Sequence, residues 1–437
     1  MNPEPHAYSF RLGLVGGLLQ GIEAAYLARE AGYQVTVIDR NPEAPALALA
    51  HQAHVFDIQE EPDRFRRLLS GMDAIIPTTE EKGTLDFLAE TCKATGVTFL
   101  HDNAAYAVSS SKIRSNSFLA NHGIPVPKKW PHCRFPVIVK PSTASGSHGL
   151  QVVPSRTALD AVLPELTARY GEMVVEAYHS GPSLSLEVIA RQGAGVGYMV
   201  TELEFDAKLD CKRVYAPSRL SPSLNQRFET ICLDIARHLK LNGFMDIEVI
   251  ANPKRGELVV LEIDARFPSQ TPMAVYHASG INLLEEWVKV HGCGQPLQPV
   301  AARPGCAWLE HWSVSDSCLE AIGETQLLPW SGLRVWPNGG FFGASVALTD
   351  YQEGKTAFKS TLIFTGVDWT AVAEKRQRCL ERMASVLNLK DVIDPTYQVP
   401  RLGGNHDAID RRRPGAGTHR FESIREEAAG CNRYGTA

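Results

Sequence analysis

The sequence GFMDIEVIANPKRGELVVLEIDARF, residues 243–267, contains two apolar strand patterns that carry acidic residues. Within each strand two carboxylates are two residues apart and share a face, Asp246 with Glu248 and Glu262 with Asp264. Carboxylates inside strands this apolar are costly to bury unless a cation or hydrogen bonds satisfy them. Because the ligands are all oxygens, Mg²⁺ is favoured over zinc or copper. The pattern predicts two strands with a common magnesium-binding face, the alternative being a polar stripe that faces solvent.

Arg266 follows the second of these strands and falls on the same face as Glu262 and Asp264. A guanidinium beside magnesium-binding carboxylates is suited to stabilising the transition state of phosphoryl transfer. We therefore predict that Arg266 is catalytic.

A second candidate site lies upstream, in FPVIVKPSTASGSHGLQVV at residues 135–153. It reads as a strand that ends near Lys140, a loop of small residues at 142–149, and another strand. A lysine beside a loop of small residues suits phosphate, because the ammonium supplies charge and the loop amides can approach closely. No Gly-Lys-Ser/Thr follows, so this is not a Walker A loop, and an ordinary exposed hairpin remains the alternative.

The N-terminal hundred residues alternate strand and helix patterns, which predicts a parallel sheet covered by helices. VGGLLQG at 15–21 follows a strand and opens a helix, and Asp39 ends the next strand. This resembles the dinucleotide-binding fingerprint, but G-G-x-x-x-G does not have its G-x-G-x-x-G spacing. A tight strand–helix turn that binds another ligand is favoured, and an NAD-dependent oxidoreductase stays open as an alternative.

Composition places the chain among soluble multidomain enzymes. It has 437 residues, 44 Lys+Arg against 49 Asp+Glu, 44% hydrophobic residues and 21% charged residues. The near-neutral balance argues against a nucleic-acid or membrane-surface binder, and no apolar run approaches the length of a membrane span. Nine cysteines without C-x-x-C spacing, and a start, MNPEPHAYSF, without a secretory pattern, predict free thiols in the cytoplasm.

The order of these features resembles the ATP-grasp superfamily of carboxylate–amine ligases. The matching order is a strand–helix domain, Lys112, Lys140 with its loop, EAYHSGPSLSLEV at 176–188, and then the acidic strands. Two stretches, VGGLLQGIEAAYLAREAGYQVTVIDRNPEA and VVLEIDARFPSQTPMAVYHASGINLLE, closely resemble the pyrrolysine-biosynthesis ligases that join 3-methylornithine to lysine. The resemblance implies an α/β ATP-grasp fold, ATP and two Mg²⁺ as cofactors, and a possible homodimer.

The resemblance also implies a division into domains. We expect a Rossmann-like, pre-ATP-grasp substrate-binding domain at 1–105 and a small central ATP-grasp subdomain at 106–181. A larger C-terminal α+β domain at 182–394 would carry the magnesium site and a β-rich cap. The Gly/Arg-rich tail at 395–437 lacks periodicity, which predicts disorder or weak docking.

Site residues follow from the same resemblance, by the role that each position has in the family. The phosphate contacts are Lys112, Lys140, Ser145, Gly146 and Ser147; the adenine hinge is Glu176, Ala177 and Tyr178; the magnesium ligands are Glu248, Glu262 and Asp264; Arg266 lies over the transferred phosphoryl group; Leu19 and Gln20 face lysine; and Glu187, Asp206 and Ser269 bind amino acid.

The attacking amine imposes one further requirement. A lysine ε-amine has a reference pKa of about 10.4, so only a fraction on the order of 10⁻³ is neutral at pH 7. We therefore expect a nearby proton acceptor such as Asp206 or Asp210. Two further alternatives stay open, an ATP-grasp ligase of other amino acids and a nucleotide-binding regulatory protein without catalysis.

Overall fold

A parallel sheet forms the N-terminal layer of the computed structural model, which describes residues 10–315, 317–396 and 418–419. Its strand order is β3-β2-β1-β4-β5, so the chain reverses direction across the sheet between β1 and β4. VTFLHD at 97–102, which reads as a full strand in the sequence, contributes only a two-residue strand. The strands are β1 (Arg11–Val15), β2 (Gln34–Asp39), β3 (Gln52–Val55), β4 (Ala74–Pro77) and β5 (Thr98–Phe99).

Five helices belong to this part of the chain. A 3₁₀ turn, Pro45–Leu49, also packs against the first of them. Ser111 caps the fifth helix, because its hydroxyl accepts a hydrogen bond from the amide of Arg114. The predicted boundary at residue 105 falls inside the fourth helix. The helices are α1 (Leu19–Glu30), α2 (Pro62–Leu69), α3 (Lys82–Thr95), α4 (Asn103–Ser109) and α5 (Lys112–Asn121).

A small antiparallel sheet follows, with strand order β7-β6-β8. Its core is aliphatic, with Val137, Val139 and Val153 packed on Leu159 and Leu166 of the adjoining helix. The elements are β6 (Val137–Pro141), β7 (Gln151–Val153), α6 (Arg156–Tyr170) and β8 (Met173–Ala177).

The third layer is a 13-stranded sheet whose main path is β14-β13-β9-β11-β12-β15-β16-β20-β21. Its strands are β9 (Ser183–Arg191), β10 (Ala194–Gly197), β11 (Thr201–Phe205), β12 (Cys211–Ala216), β13 (Gly243–Asn252), β14 (Glu257–Asp264), β15 (Cys306–Ser315), β16 (Cys318–Ala321), β17 (Arg334–Pro337), β18 (Val346–Thr349), β19 (Phe358–Gly366), β20 (Asp391–Ile393) and β21 (Thr418–His419). Its helices are α7 (Pro222–Leu239), α8 (Thr271–Ser279), α9 (Leu283–Trp287) and α10 (Trp369–Leu387), with a π turn at Val288–Gly292 and a 3₁₀ turn at Glu324–Leu327.

The segment at 300–394 has a hydrophobic core of its own, which includes Trp312, Phe364 and Leu380, and is also joined to the large sheet. β15 pairs antiparallel with β12, so the aromatic-rich strands extend the sheet that carries the acidic residues. Of the predicted tail, the structure describes only residues 395, 396, 418 and 419, and β21 pairs with β20. The rest of that prediction lies outside the described residues. No helix within the described ranges is long and apolar enough to cross a bilayer.

Candidate active site

Acidic residues form two rows across three neighbouring strands of the large sheet. The β-sheet register sets Asp246 of β13 between Glu187 of β9 and Asp264 of β14. In the next row Glu248 lies opposite Glu262. The two-residue spacing in the sequence therefore becomes a patch of carboxylates on one face of the sheet.

Burial and mutual repulsion both disfavour the ionised form of the carboxylates in this patch. Burial raises the pKa of Glu248 well above its usual range, and Asp246, Glu262 and Asp264 raise it further. Burial also raises the pKa of Asp264, although Arg266 works in the opposite direction. A cation at this face would oppose both pKa shifts, because a nearby positive charge favours the ionised carboxylates.

Lys112 and Lys140 reach the patch from the neighbouring elements. Lys112 Nζ donates to Glu262 Oε1 at 2.5 Å and to the carbonyl of Ala144 at 2.7 Å. Lys140 Nζ lies 2.7 Å from Glu176 Oε1 in the small sheet and donates to the carbonyl of Leu261 in β14 at 3.2 Å, and the side chains of Lys140 and Glu176 are buried. The two lysines therefore join the small sheet and the loop after β6 to the acidic face.

These groups border a cavity of about 340 Å³ between the small and large sheets. Apolar side chains such as Ile138, Phe205 and Ile250 form part of its wall. The amides of Ala177 and Tyr178 already donate within the hinge, to the carbonyls of Lys128 and Pro136. The cavity brings together most of the residues predicted to bind nucleotide: Lys112, Lys140, Ser145, Gly146, Ser147, Glu176, Ala177, Tyr178, Glu248 and Glu262.

The loop after β6 closes over this cavity in a left-handed conformation. Gly146, Ser147 and Gly149 have φ values of 61°, 58° and 73°. Ser147 Oγ donates to the carbonyl of Leu209 at 2.6 Å, which fastens the loop to the turn between β11 and β12. A Cβ atom at Gly149 would lie 2.8 Å from the ring of Tyr170, so this position requires glycine.

A larger cavity of about 770 Å³ lies at the carboxyl ends of β1, β2 and β4. Its wall includes Leu19 and Gln20 from the start of α1, together with Arg266 and Ser269 from the segment after β14. Ligands of open parallel sheets bind at such a point, where the strand order reverses. No side chain caps the N-terminus of α1, so this end of the helix keeps its partial positive charge facing the cavity.

Glu80, just beyond β4, connects this cavity to Arg266. Its Oε1 atom lies 2.8 Å from Arg266 Nε and accepts a hydrogen bond of 2.9 Å from Gln20. Burial alone would raise the pKa of Glu80, but Arg266 and the hydrogen bonds lower it below its usual range. Arg266 Nη2 also donates to Asp264 at 3.0 Å, so one guanidinium connects Glu80 at the larger cavity to the acidic face of the large sheet.

Comparisons with known proteins agree with this geometry. Residues 128–300 match the family described as carbamoyl-phosphate synthase L chain, ATP binding domain. The 3-methyl-D-ornithine–L-lysine ligase of Methanosarcina acetivorans is 38% identical over 319 residues, which cover 72% of this chain and 83% of that protein. The chain belongs to this ligase family. The Methanosarcina mazei ligase is 39% identical over 275 residues, covering 62% of this chain and 69% of that protein.

Solved structures extend the match to the fold. The biotin carboxylase domain of Hydrogenobacter thermophilus 2-oxoglutarate carboxylase, crystallised with MgADP, has a TM-score of 0.67 at 16% identity and covers 86% of this chain and 90% of its own. An N5-carboxyaminoimidazole ribonucleotide synthetase bound to ADP has a TM-score of 0.63 at 16% identity, with 87% of this chain and 97% of that chain covered. The α/β ATP-grasp fold is thus confirmed.

The glycine turn of this ligase-family protein is not a dinucleotide site. Asp39 Oδ2 accepts a hydrogen bond of 2.6 Å from the amide of Gly17, and its Oδ1 accepts one of 2.7 Å from the amide of Asn41. A dinucleotide fold needs that carboxylate for a ribose and that amide near a pyrophosphate. Both are used inside the turn, which argues against the oxidoreductase alternative.

Asp206 and Asp210, the two residues expected to accept the proton of the amine, lie outside the linings of the two cavities described above. Asp206 accepts hydrogen bonds from the amides of Lys208 and Asp210 and from the side chain of Gln326. Asp210 accepts from the amide and the hydroxyl of Thr325. Both carboxylates fasten residues 323–326 to the turn between β11 and β12.

That fastened segment carries Glu324, which the sequence did not reveal. Glu324 lines the larger cavity, and burial raises its pKa although hydrogen bonds with Ser269 and Gln270 lower it. No periodic pattern surrounds Glu324, so only the fold brings it to the site. Glu80 could have been predicted as a site residue, because it follows a buried strand at the carboxyl edge of the sheet.

A set of buried oxygen acceptors lies behind Glu324. Glu187 is fully buried with both carboxylate oxygens lacking a hydrogen bond, and Glu23 Oε2 and Gln270 Oε1 also lack one within the described residues. Glu23 Oε1 accepts from the amide of Gln270. Burial raises the pKa of Glu23, and Glu324 and Glu187 add to the shift, which indicates that the three carboxylates are near one another.

The magnesium prediction fits the donor set only in part. Among the described residues no group of three His, Cys, Asp or Glu side chains is assembled to hold a metal ion. Mg²⁺ is commonly bound by one or two carboxylates together with substrate phosphates. Glu248 and Glu262, adjacent in register and facing the smaller cavity, supply that number.

Proposed function

We propose that this protein is an ATP-dependent ligase that joins 3-methylornithine to the ε-amine of L-lysine. ATP would phosphorylate the carboxylate of 3-methylornithine, and lysine would attack the acyl phosphate, giving 3-methylornithyl-Nε-lysine, ADP and phosphate. The observation that carries this proposal is the meeting of the two cavities. Ser145, Gly146 and His148 line both, so a nucleotide in one can reach an amino acid in the other.

The smaller cavity is proposed to hold ATP. Lys112, Lys140 and the loop at 145–147 would contact its phosphates, and the hinge at 176–178 would lie beside adenine. Glu248, Glu262 and Asp264 would hold Mg²⁺, two ions if the resemblance extends that far. Bound Mg²⁺ neutralises phosphate charge and polarises a phosphoryl oxygen.

Arg266 is proposed to stabilise the phosphoryl group in transfer. Its contacts with Asp264 and Glu80 fix two edges of the guanidinium, so it is oriented before substrate arrives. Neighbouring carboxylates raise its pKa even though burial lowers it, and it therefore stays charged. A preorganised charge of this kind costs no reorganisation during the reaction.

The larger cavity is proposed to hold the two amino acids. The uncapped start of α1, with Leu19 and Gln20, suits the carboxylate of lysine because helix N-termini attract anions. Glu324 lines this cavity, and the buried acceptors of Glu23, Glu187 and Gln270 behind it would help to attract an ammonium group. Ser269 would assist there.

Glu324 is the proposed acceptor for the proton of the attacking amine. A carboxylate with a raised pKa takes a proton more readily near neutral pH than an ordinary glutamate does. It lines the cavity where the amine must lie, whereas Asp206 and Asp210 are held in their turn.

One incubation tests the proposal: purified protein with ATP, Mg²⁺, L-lysine and 3-methylornithine, followed by mass spectrometry and a coupled ADP assay. The expected product is one water lighter than the two amino acids together. Arg266→Ala should abolish it, and the surface variant Arg156→Ala, which loses an exposed ion pair and a cation–π contact with Trp130, should not. ADP without dipeptide would refute the substrates, and the absence of both would refute the ligase.

A further inference from the structure

The chain that follows β20 forms part of the wall of the smaller cavity. Thr396 lines this cavity together with Glu204 and Phe205 of β11. Residues 394–396 lie outside the regular sheet and helices, so their own backbone does not hold them there. Side chains of β12 hold them instead.

Lys212 is the main anchor of this segment. Its side chain is 0% exposed, and its Nζ donates to Asp394 Oδ1 at 2.6 Å, to the carbonyl of Pro395 at 2.8 Å and to Thr396 Oγ1 at 3.2 Å. An ammonium has three protons to donate, and these contacts use all of them. The same Nζ lies 3.1 Å from Glu204, which faces the cavity.

Arg213 ties the segment to the rest of the sheet. It donates to Asp394, to Glu204 at 3.0 Å and to Glu310 at 2.7 Å. Arg376 of α10 also donates to Glu310, at 2.9 Å. The buried cations Lys212, Arg213 and Arg376 thus balance the carboxylates Glu204, Glu310 and Asp394.

We propose that Asp394–Thr396 is a C-terminal strap that completes the nucleotide cavity, and that Lys212 is the positioning residue that holds it. The inference rests on the proposed function in assuming that this cavity binds Mg·ATP. Glu204 belongs both to the ionic network and to the cavity wall, so loss of Lys212 disturbs the strap and the wall together. A buried network that loses one partner leaves an uncompensated charge, which drives local rearrangement.

The strap accounts for contacts that a purely structural network does not require. Charge balance accounts for the contact of Lys212 with Asp394, but not for its hydrogen bonds to the carbonyl of Pro395 and to Thr396 Oγ1. The effect is confined to one cavity, since Lys212 and the strap do not line the larger one. Nucleotide affinity should therefore change while amino-acid affinity does not.

The test uses the full chain and a non-hydrolysable ATP analogue with Mg²⁺, titrated by calorimetry. Lys212→Met should raise the Kd of the analogue about tenfold, and Thr396→Gly about threefold. The KM values for lysine and 3-methylornithine should stay within about twofold of the parent values. Lys355→Met is the matched control, because Lys355 also makes a 2.6 Å ion pair, with Asp350, but lies away from the cavity.

Each outcome bears on one claim. Equal analogue affinity in Thr396→Gly and the parent would overturn the strap, as would a parallel loss of amino-acid affinity in Lys212→Met. Because Thr396 is exposed at the end of the network, its variant keeps the test decisive if Lys212→Met does not fold. Failure of the parent protein to bind the analogue would instead refute the proposed function.

Discussion

Replacement of Glu80 by glutamine tests the connection between the amino-acid cavity and Arg266. In the structure Glu80 Oε1 lies 2.8 Å from Arg266 Nε and 2.9 Å from Gln20 Nε2. Glutamine has nearly the same shape and keeps an acceptor oxygen, but removes the negative charge. The guanidinium would then be held by charge only on its Asp264 side.

The magnitude follows from the two contacts. A hydrogen bond to a charged group contributes about 1.5–3 kcal/mol and a neutral one about 0.5–1.5 kcal/mol, so each contact loses about 1–1.5 kcal/mol. The sum is about 2–3 kcal/mol, and since the Glu80 side chain is 30% exposed, water screening favours the lower end. At about 1.4 kcal/mol per tenfold, kcat should fall about 30-fold.

The assay is the coupled ADP release measured under saturating substrates, with the KM for ATP determined in parallel. Glu80 does not line the smaller cavity, so the KM for ATP should stay within about twofold of the parent value. Glu90→Gln, on the exposed side of α3, is the control and should retain full kcat. A Glu80→Gln enzyme with parental kcat would refute the claim that Glu80 orients Arg266.

Three further outcomes are expected. Glu324→Gln should lower kcat at least about tenfold at pH 7. A proton acceptor must be deprotonated to act, so kcat of the parent should rise with pH through the raised pKa of Glu324, and the pH–rate profile of the variant should lack this rise. Lys140→Met should leave Glu176 buried without its cation and lower the free energy of unfolding, measured in urea, by about 3–5 kcal/mol. The double variant that also carries Glu176→Gln should regain stability but not affinity for ATP. A double variant with restored ATP affinity would refute the contact between Lys140 and phosphate. Gly149→Ala should destabilise the protein by about 1–3 kcal/mol, because φ of Gly149 is 73° and a Cβ would lie 2.8 Å from the ring of Tyr170. Gly32→Ala is the control and should cost less, because φ of Gly32 is 77° but an added Cβ would contact no other atom within 4 Å.

Local patterns predicted the strands and their acidic faces, because a two-residue period follows directly from strand geometry. GFMDIEVI and VVLEIDARF became β13 and β14 with Glu248 opposite Glu262. The segment at 300–394 was harder, because its strands vary from three to ten residues in length and their pairing partners lie at very different distances along the sequence. β15 pairs with β12, which no local pattern encodes.

The same distinction explains which site residues could be predicted. Lys140 and Arg266 have sequence neighbours that reveal their role, a loop of small residues and a pair of carboxylates. Glu324 has none, because it reaches the cavity through hydrogen bonds that Asp206 and Asp210 make to the residues after it. The sequence singled out those two aspartates but could not show that they hold the segment that carries Glu324.

Two groups of carboxylates with raised pKa values lie on opposite sides of Arg266. One group includes Glu248, which lines the smaller cavity, and its neighbour Asp264; the other includes Glu324, which lines the larger cavity, and Glu23 behind it. In both groups the hydrogen bonds and cations of the protein do not fully compensate the cost of burying the carboxylates, so a bound cation would stabilise each group. Mg²⁺ entering with ATP would satisfy the first group, and a substrate ammonium the second. Excess negative charge is thus buried on both sides of Arg266. Binding of each cation would lower the electrostatic cost of that burial.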